Sequence, residues 1–434
     1  MTLFAAFKRR RYTYLWFGQL ASHLGTHIYE LALAWWVLQK TGSAAAMGGV
    51  LIAAYVPTSI LVLVGGVLAD RLARVPIMLV ADCVRFALMI VMALLAFNGA
   101  LTIWLVLLLS ALVGVMDAFF WPAYKSIFPE LVPQSELASA NSLEVIGSGA
   151  VHILAPAIGA GLVAASGIPL AFALNGVSFL LSAVSLVAML VIPAQAVPAQ
   201  PTPALVAAAP VPVAPLAEVA PELDPASTAQ PARRSNFWRE LREGLRTARA
   251  LPWVWVTIVL SGLANLGYQG ALSVALPYYV QHTLAGSPWL YGGLLIAAAV
   301  GGVPVALWFG ARQMRRRGLW LYTGFTLAML ALAVVGWVPI PTVMLAAMFI
   351  QGLTITAFDL AWATAMQQYI PLEKLGRVSS IDQLSANIAL PISYGLTGII
   401  VDRIGATPDL IWSGLIAAAI VSLGFLSRSV RRLD

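Results

Sequence analysis

Long apolar stretches alternate with short polar turns along almost the whole chain. Each stretch is close to the ~20 residues that a helix needs to cross a bilayer. The pattern predicts an all-α polytopic membrane protein with twelve transmembrane helices. The predicted spans are 13–38, 46–69, 77–97, 101–124, 142–165, 168–192, 253–281, 288–310, 318–337, 341–364, 379–401 and 408–427.

The alternation is interrupted between the sixth and seventh spans. Residues 193–235 are rich in Ala and Pro and contain no aromatic residue, which predicts a disordered cytoplasmic linker because such a segment cannot build a packed core. Residues 236–250 follow, with arginines on one helical face and apolar side chains on the other, at Phe237, Trp238, Leu241 and Leu245. They predict an amphipathic helix on the inner leaflet, with a partner-binding helix as the alternative.

The two halves of the chain repeat a polar pattern. Residues 132–144 align without a gap with residues 370–382, so that Glu144 matches Asp382. The matching segments fall in corresponding loops, which indicates two related units. We therefore predict an N-terminal six-helix bundle at residues 1–192 and a C-terminal one at residues 251–434.

Composition agrees with a membrane protein. Hydrophobic residues make up 60% of the 434 residues and charged residues 10%, whereas soluble domains carry about 25% charged residues. The net charge of +7 resides mainly in short loops, which is the positive-inside pattern and not a nucleic-acid groove. Only Lys40 and Arg403 fall in predicted outer turns, and Arg85 lies in a span. Both termini are therefore predicted to be cytoplasmic, in a bacterial inner membrane.

Several kinds of chemistry are not expected. Cys83 is the single cysteine, which excludes an intramolecular disulfide and a cysteine-based metal site. There is no G-x-x-x-x-G-K-[ST] loop and no nucleophile constellation, so we expect neither an enzyme nor a cofactor. His23 and His27 have the i, i+4 spacing of metal ligands, but no H-E-x-x-H motif is present and no metal is expected.

One short stretch carries a specific motif. Residues 65–76 join two spans through a basic turn that is too short for anything but a helical hairpin, and Gly65 and Gly66 would allow another helix to approach closely. The stretch resembles the signature loop of the major facilitator superfamily, roughly G-x-L-x-D-R-x-G-R-[RK]. It departs from that loop at Ala73 and Val75. The resemblance implies two six-helix bundles around a central cavity, and a gate built from Gly66, Asp70, Arg71 and Arg74.

Further segments resemble the macrolide-efflux and enterobactin-exporter branch of this superfamily. They are residues 16–19, 39–43, 70–71, 81–82, 131–133, Leu137, Asn141 and 238–245. This resemblance implies export of drugs or siderophores driven by the proton gradient. One departure concerns the coupling step, since many proton-driven exporters carry Arg three residues before a Gly in span 4. Here Ala111 precedes Gly114 at that spacing, so coupling would have to rest on Glu30 and Asp117.

Charged residues inside the spans are the candidate functional groups, because burying a charge in a bilayer is expensive. Glu30, Asp117 and Asp359 lie in spans 1, 4 and 10, which line the cavity in this superfamily. We predict Glu30 and Asp117 as proton-coupling acids, and all three as partners of a cationic substrate. The alternative is that they are hydrogen-bonded structural acids near an interface.

Neighbouring residues extend this candidate site. Trp121 lies one turn after Asp117, and Trp362 is similarly placed after Asp359. An acid beside an aromatic wall suits a bulky amphipathic cation, although aromatic packing also explains these residues. Asn265 and Gln269 complete the predicted substrate-binding set: Glu30, Asp117, Asp359, Trp362, Trp121, Asn265 and Gln269.

Asp82 and Arg85 are spaced i, i+3 and are predicted to pair as structural and gating residues. His152 is predicted to be an interior histidine, with a proton relay as the alternative. Together these features predict a monomeric secondary transporter that exports amphipathic small molecules by proton antiport with alternating access. Its partners would be the substrate, protons and the bilayer, and no nucleic acid. The alternative function is a facilitator or proton-coupled importer of a specific small nutrient.

Overall fold

The computed structural model describes residues 4–165, 167–192, 237–311, 317–370 and 372–427. Within these ranges the chain is helical and forms twelve long helices, which confirms the predicted fold class. They are α1 Arg10–Thr41, α2 Ala44–Arg71, α3 Arg74–Phe97, α4 Ile103–Leu131, α5 Gln134–Ala165, α6 Ile168–Val191, α7 Pro252–Gly270, α8 Pro288–Ala311, α9 Arg317–Trp337, α10 Pro341–Tyr369, α11 Leu372–Ile404 and α12 Ala406–Ser422.

Other helical pieces complete the description. An amphipathic helix, Phe237–Ala250, precedes α7, and short 3-10 helices lie at Ala5–Lys8 and Leu423–Leu426. After Gly270 the chain of α7 continues through π-helical turns to Thr283. These turns flank Pro277, whose ring nitrogen cannot donate a helical hydrogen bond. The predicted linker, residues 193–235, lies outside the described residues.

Most of the long helices have the length and composition of membrane spans. Eleven helices of the described chain are long and apolar enough to cross a bilayer. Helix α1 is not among them, and it carries His23, His27 and Glu30 within its length. Several helices run further than the apolar stretches that predicted them. Helix α4, for example, continues to Leu131, because a helix retains its backbone hydrogen bonds beyond the apolar segment.

Helix pairs recur between the halves. In the first half α2 packs on α4, α3 on α6 and α1 on α5; in the second half the corresponding pairs are α8 with α10, α9 with α12 and α7 with α11. The repeat seen in the sequence is therefore also a repeat of packing. The halves meet along two further matched pairs, α2 with α11 and α5 with α8.

Contacts between the halves concentrate at one end of the molecule. Asp402, at the end of α11, accepts hydrogen bonds from the backbone N–H groups of Ala44 (2.7 Å) and Ala45 (3.2 Å) and from the Ser43 hydroxyl (2.6 Å). These donors form the N-terminus of α2, where a carboxylate is stabilised by unpaired N–H groups. The rings of Tyr55 and Tyr394, further along the same pair of helices, are tilted against each other with their centroids 5.6 Å apart.

Candidate transport site and gate

The interior of the first half contains a buried arginine between two acids. Arg85 Nη2 lies 2.6 Å from Asp82 Oδ1, and Arg85 Nη1 lies 2.8 Å from Asp117 Oδ1. The Arg85 side chain is 4% exposed and that of Asp82 is fully buried, whereas Asp117 is 29% exposed. The guanidinium therefore joins α3 to α4, and Asp117 is the acid of the cluster that is partly exposed.

Neighbouring groups hold this cluster in place. The Ser182 hydroxyl donates to Asp82 Oδ2 (2.6 Å), and Gln19 Nε2 donates to the Ser182 oxygen (2.7 Å). The guanidinium carbon of Arg85 also lies 4.0 Å from the Phe120 ring centroid and 4.6 Å from that of Phe179. Aromatic faces attract a cation, and this attraction strengthens away from water.

Sequence reasoning anticipated only part of this network. The i, i+3 spacing indicated the Asp82–Arg85 pair, which the structure contains, but did not reveal the contact of Arg85 with Asp117. Two charges of opposite sign in adjacent spans were the available signal. Position 111 of α4 is alanine, and the arginine that contacts the acid of α4 comes from α3 instead.

Glu30 belongs to a second polar group, together with two histidines. Its Oε2 lies 2.7 Å from His27 Nδ1, and the His27 and His152 ring centroids are 4.8 Å apart. His152 Nδ1 lies 2.7 Å from the backbone oxygen of Ser148. Glu30 is 49% exposed and His27 35%, so this group faces open space. No set of three or more acids, histidines and cysteines in the described chain has metal-site geometry.

The second half contains a cavity of about 230 Å³ between α7, α9, α10 and α11. Four of the predicted substrate-binding residues line it: Asn265, Gln269, Asp359 and Trp362. Asp382, which sequence reasoning did not select, lines it as well. No Lys, Arg or His appears among the described residues around this cavity, so its two carboxylates have no basic neighbour in its wall.

The remaining predicted substrate-binding residues lie in the first half and do not line this cavity. They are Glu30, Asp117 and Trp121. The Trp121 ring packs 5.6 Å from His23 and 5.9 Å from Tyr124. The structure thus divides the predicted set between the two halves instead of gathering it around one cavity.

An aromatic–acid pair recurs in both halves. The Tyr124 hydroxyl donates to Glu144 (2.7 Å), and the Trp362 indole N–H donates to Asp382 (3.1 Å). Continued without a gap toward the N-terminus, the alignment that matches Glu144 with Asp382 also places Tyr124 opposite Trp362. The internal repeat was therefore the signal that could have identified both acids as site residues.

The signature loop contacts its own half. Arg74 pairs with Glu130 at the end of α4, and Asp70 is exposed and has no hydrogen-bond or ion-pair partner among the described residues. Gly65 abuts the backbone of Ala118, whereas Gly66 faces open space. The glycine that permits close helix packing is therefore Gly65 and not Gly66. Arg71 is also exposed, and the gating roles of these residues remain predictions.

Arg9 lies at the same end of the first half and makes a bidentate contact with Glu136 (3.0 and 3.1 Å). The hydrogen bond with Glu136 raises the pKa of the Arg9 guanidinium. The hydrogen bonds that join the halves, from Ser43, Ala44, Ala45 and Gln281, lie toward the Asp402 end. The molecule is thus closed at the Asp402 end.

Twelve long helices in two related bundles, with polar groups inside each, define a polytopic membrane transporter. A family model described as Major Facilitator Superfamily matches residues 15–394. The chain belongs to this superfamily, whose members are transporters and not enzymes.

Individual relatives are similar at low identity. Macrolide efflux protein A of Streptococcus pyogenes is 24% identical over 98% of both chains. Multidrug efflux pump Tap of Mycolicibacterium fortuitum is 26% identical over 90% of this chain and 88% of its own. Among solved structures, a bacterial homologue of the lysosomal transporter Spinster, inward-facing and occupied, has a TM-score of 0.67 at 15% identity and covers 98% of this chain and 99% of its own. That likeness concerns the fold alone.

Proposed function

We propose that this protein exports amphipathic small molecules across the bacterial cytoplasmic membrane in exchange for protons. The single observation that carries the proposal is the buried cluster of Asp82, Arg85 and Asp117. Two similar proteins bear the names macrolide efflux protein and multidrug efflux pump, which supports export as the direction.

The cluster suits a proton because of its charge balance. Two carboxylates and one guanidinium give a net charge of −1, and one added proton makes the cluster neutral. Asp117 is its more exposed acid, so it is the member that exchanges the proton. When Asp117 is neutral its hold on Arg85 weakens, while Asp82 still pairs the guanidinium and no unpaired buried charge results.

Glu30 is proposed as the acid that receives the proton from the outer side. It lies further along α1 toward the outer end and is exposed to the opening. Asp117 then releases the proton inward, or holds a cationic substrate until a proton displaces it. Each turnover moves one acid between charged and neutral forms, which ties the proton to the change of access.

The substrate is proposed to bind in the second-half cavity, against Asp359, Trp362, Asn265 and Gln269. Drug-sized ligands occupy pockets of about 300–1,000 Å³. The cavity of about 230 Å³ is smaller than that, so it would receive the charged and aromatic part of a ligand. The rest would extend into the opening toward Glu30, Asp117 and Trp121.

The test uses purified protein in vesicles, with the macrolide erythromycin as probe. Glu30→Gln and Asp117→Asn imitate the protonated acids with little change of shape. We expect each variant to bind erythromycin yet to lose uphill transport, and erythromycin should no longer move protons. Glu136→Gln, which lies in the Arg9 contact, is the control and should transport normally. If both acid variants still transported erythromycin uphill at the wild-type rate, proton coupling would have to lie at other residues.

The alternative is uptake of a small nutrient. A compound-susceptibility panel separates the two functions, because an exporter lowers susceptibility when it is expressed and an importer raises it or leaves it unchanged. Export also requires the predicted orientation, with both termini in the cytoplasm. Reporter fusions at the two termini, active only on one side of the membrane, would test that orientation.

A further inference from the structure

A small polar cavity lies between α1 and α5 in the first half. Its volume is about 10 Å³, and it is lined by Trp16, Gln19, Leu20, His23, Glu144, Gly147 and Ser148. A cavity needs about 10–15 Å³ and two to four polar partners to hold one water molecule. The cavity has about that size, and its wall contains the required polar groups.

Three polar atoms in this wall are available to a water molecule. Gln19 is 1% exposed, and its Oε1 has no hydrogen-bond partner among the described residues. Nε2 of His23 is also buried and unpaired. Glu144 accepts from Tyr124 through Oε2, so Oε1 remains for another donor. Leaving buried polar groups unpaired is unfavourable, which favours a bound water at this point.

We propose that the cavity binds a water molecule joining Gln19, His23 and Glu144, and that Glu144 is the inner end of a second proton path, which begins at Glu30 and is separate from release at Asp117. The water donates to Gln19 Oε1 and to Glu144 Oε1, and it accepts from His23 Nε2–H. Three hydrogen bonds are typical of a buried water. This path rests on the proposed proton coupling, whereas the water site itself does not.

The path to the cavity follows one face of α1. Glu30, His27 and His23 are separated by three and then four residues, so they lie above one another along the helix. Glu30 and His27 are already in hydrogen-bond contact, at 2.7 Å. Imidazole gains and loses a proton near neutral pH, and its two nitrogens allow it to receive a proton on one side and give it up on the other.

The last step conserves every proton. His23 gives its Nε2 proton to the water, and the water gives one of its own protons to Glu144 Oε1. The imidazolium becomes neutral imidazole, the carboxylate becomes a carboxylic acid, and the water is regenerated. Glu144 is only partly buried, so its proton can leave to solvent.

The network also connects this water to the arginine cluster. Gln19 contacts the water through Oε1, and through Nε2 it donates to Ser182, which donates to Asp82. The charge on Glu144 therefore acts on the same hydrogen-bonded network as Asp117. The second half has a matched acid, Asp382, but that acid opens on the 230 Å³ cavity, which makes it a suitable control.

Infrared difference spectroscopy on the full-length protein in detergent, between high and low pH, tests the site without any substrate. We expect a buried-water O–H band that shifts in H₂¹⁸O, and a carboxyl band that Glu144→Gln removes. Gln19→Leu should remove the water band and shift the carboxyl band, and Asp382→Asn should keep both. His23→Phe provides a second test of the water band if Gln19→Leu does not fold. The site would be overturned if the water band persisted in Glu144→Gln and also in Gln19→Leu. If Gln19→Leu does not fold, His23→Phe takes its place in this test.

Proton movement in vesicles tests the path. With erythromycin as probe, Glu144→Gln should slow proton release at least tenfold, whereas Glu136→Gln, in the Arg9 contact, should release protons at the normal rate. Normal proton release in Glu144→Gln would overturn the path. A wild-type protein that moves erythromycin without protons would overturn the proposed function and the path together, and the spectroscopic water band would still decide the site.

Discussion

The two halves share one set of helix pairs but differ in the polar groups that they enclose. The first half encloses an arginine held between two acids, with histidines beside Glu30. The second half contains a cavity whose described wall includes Asp359 and Asp382 and no basic residue. The halves therefore share a scaffold but carry different chemistry. The difference favours proton handling in the first half and substrate binding in the second.

Matched positions show where this difference lies. Tyr124 with Glu144 and Trp362 with Asp382 keep the same aromatic–acid contact in both halves. In the same alignment Trp121 matches Asp359. An aromatic wall in the first half is thus an acid in the second, at the point where the larger cavity forms.

The largest expected effect comes from removing the arginine. Arg85→Met leaves two acids without their common partner, and breaking a buried ion pair costs about 3–5 kcal/mol. We expect a large fall in thermal stability in detergent, while Asp359→Asn in the second half changes it little. Arg85→Lys keeps the positive charge and should lose less thermal stability than Arg85→Met. Equal stability of Arg85→Met and wild type would contradict the idea that this cluster is a structural centre of the first half.

A smaller effect is expected on substrate affinity. Removing one protein carboxylate that contacts a cationic ligand costs about 1.4 kcal/mol of binding free energy, or tenfold in Kd. Asp359→Asn and Asp382→Asn should therefore weaken binding of a cationic macrolide about tenfold and leave an uncharged analogue unaffected. Titration by fluorescence or calorimetry measures both. Similar losses for the two ligands would mean that the cavity recognises shape and not charge.

Much of this arrangement follows from the sequence, but not all of it. Apolar stretches predicted the spans because membrane helices must be long and apolar, and i, i+3 spacing predicted the Asp82–Arg85 pair. The Arg85–Asp117 contact depends on how α3 is rotated against α4, which no local pattern encodes. For the same reason the sequence predicts Asn265 and Asp359 individually as site residues. It does not predict that they share a cavity that Asp117 does not line.

The close-packing glycine illustrates the same limit at the level of one residue. Gly65 and Gly66 are adjacent and equal in the motif, yet only Gly65 meets a neighbouring backbone. The choice depends on which face of α2 is turned toward α4. Sequence spacing indicates that a small residue is needed near this point, whereas the tertiary packing determines which one.

A third prediction concerns the two ends of the α2–α11 pair. Asp402 of α11 binds the N-terminus of α2 at the closed end. Asp70 of α2 is predicted to approach the start of α11, near 376–380, when the other end closes. Asp402→Asn should favour opening at its end by about 1 kcal/mol, or roughly fivefold in population. Asp70→Asn should shift the balance the opposite way.

Distances between spin labels at the outer ends of α2 and α11 measure this shift, in a background where Cys83 is replaced. Ser43→Ala removes one of the three donors to Asp402 and should produce a smaller change in the same direction. Arg403→Gln, beside Asp402, is the charge control. Unchanged distance distributions in both Asp402→Asn and Asp70→Asn would remove these acids as opposing latches.

The smallest effect is expected from shortening the predicted linker. Deleting most of residues 193–232 should leave insertion, folding and transport nearly unchanged, because the free energy of closing a loop depends only weakly on its length. Expression level and erythromycin transport check this outcome. A deletion that abolishes membrane insertion would show that this segment contributes to folding and is more than a connection between the halves.

The division between a proton half and a substrate half is tested most directly by proton release on binding, in weakly buffered detergent solution. Adding erythromycin to the wild-type protein should release protons in proportion to the ligand bound. Asp117→Asn should bind erythromycin and release none. Asp382→Asn should need about tenfold more erythromycin, yet release the wild-type number of protons per ligand bound. Loss of proton release in Asp382→Asn, with wild-type release in Asp117→Asn, would contradict the division.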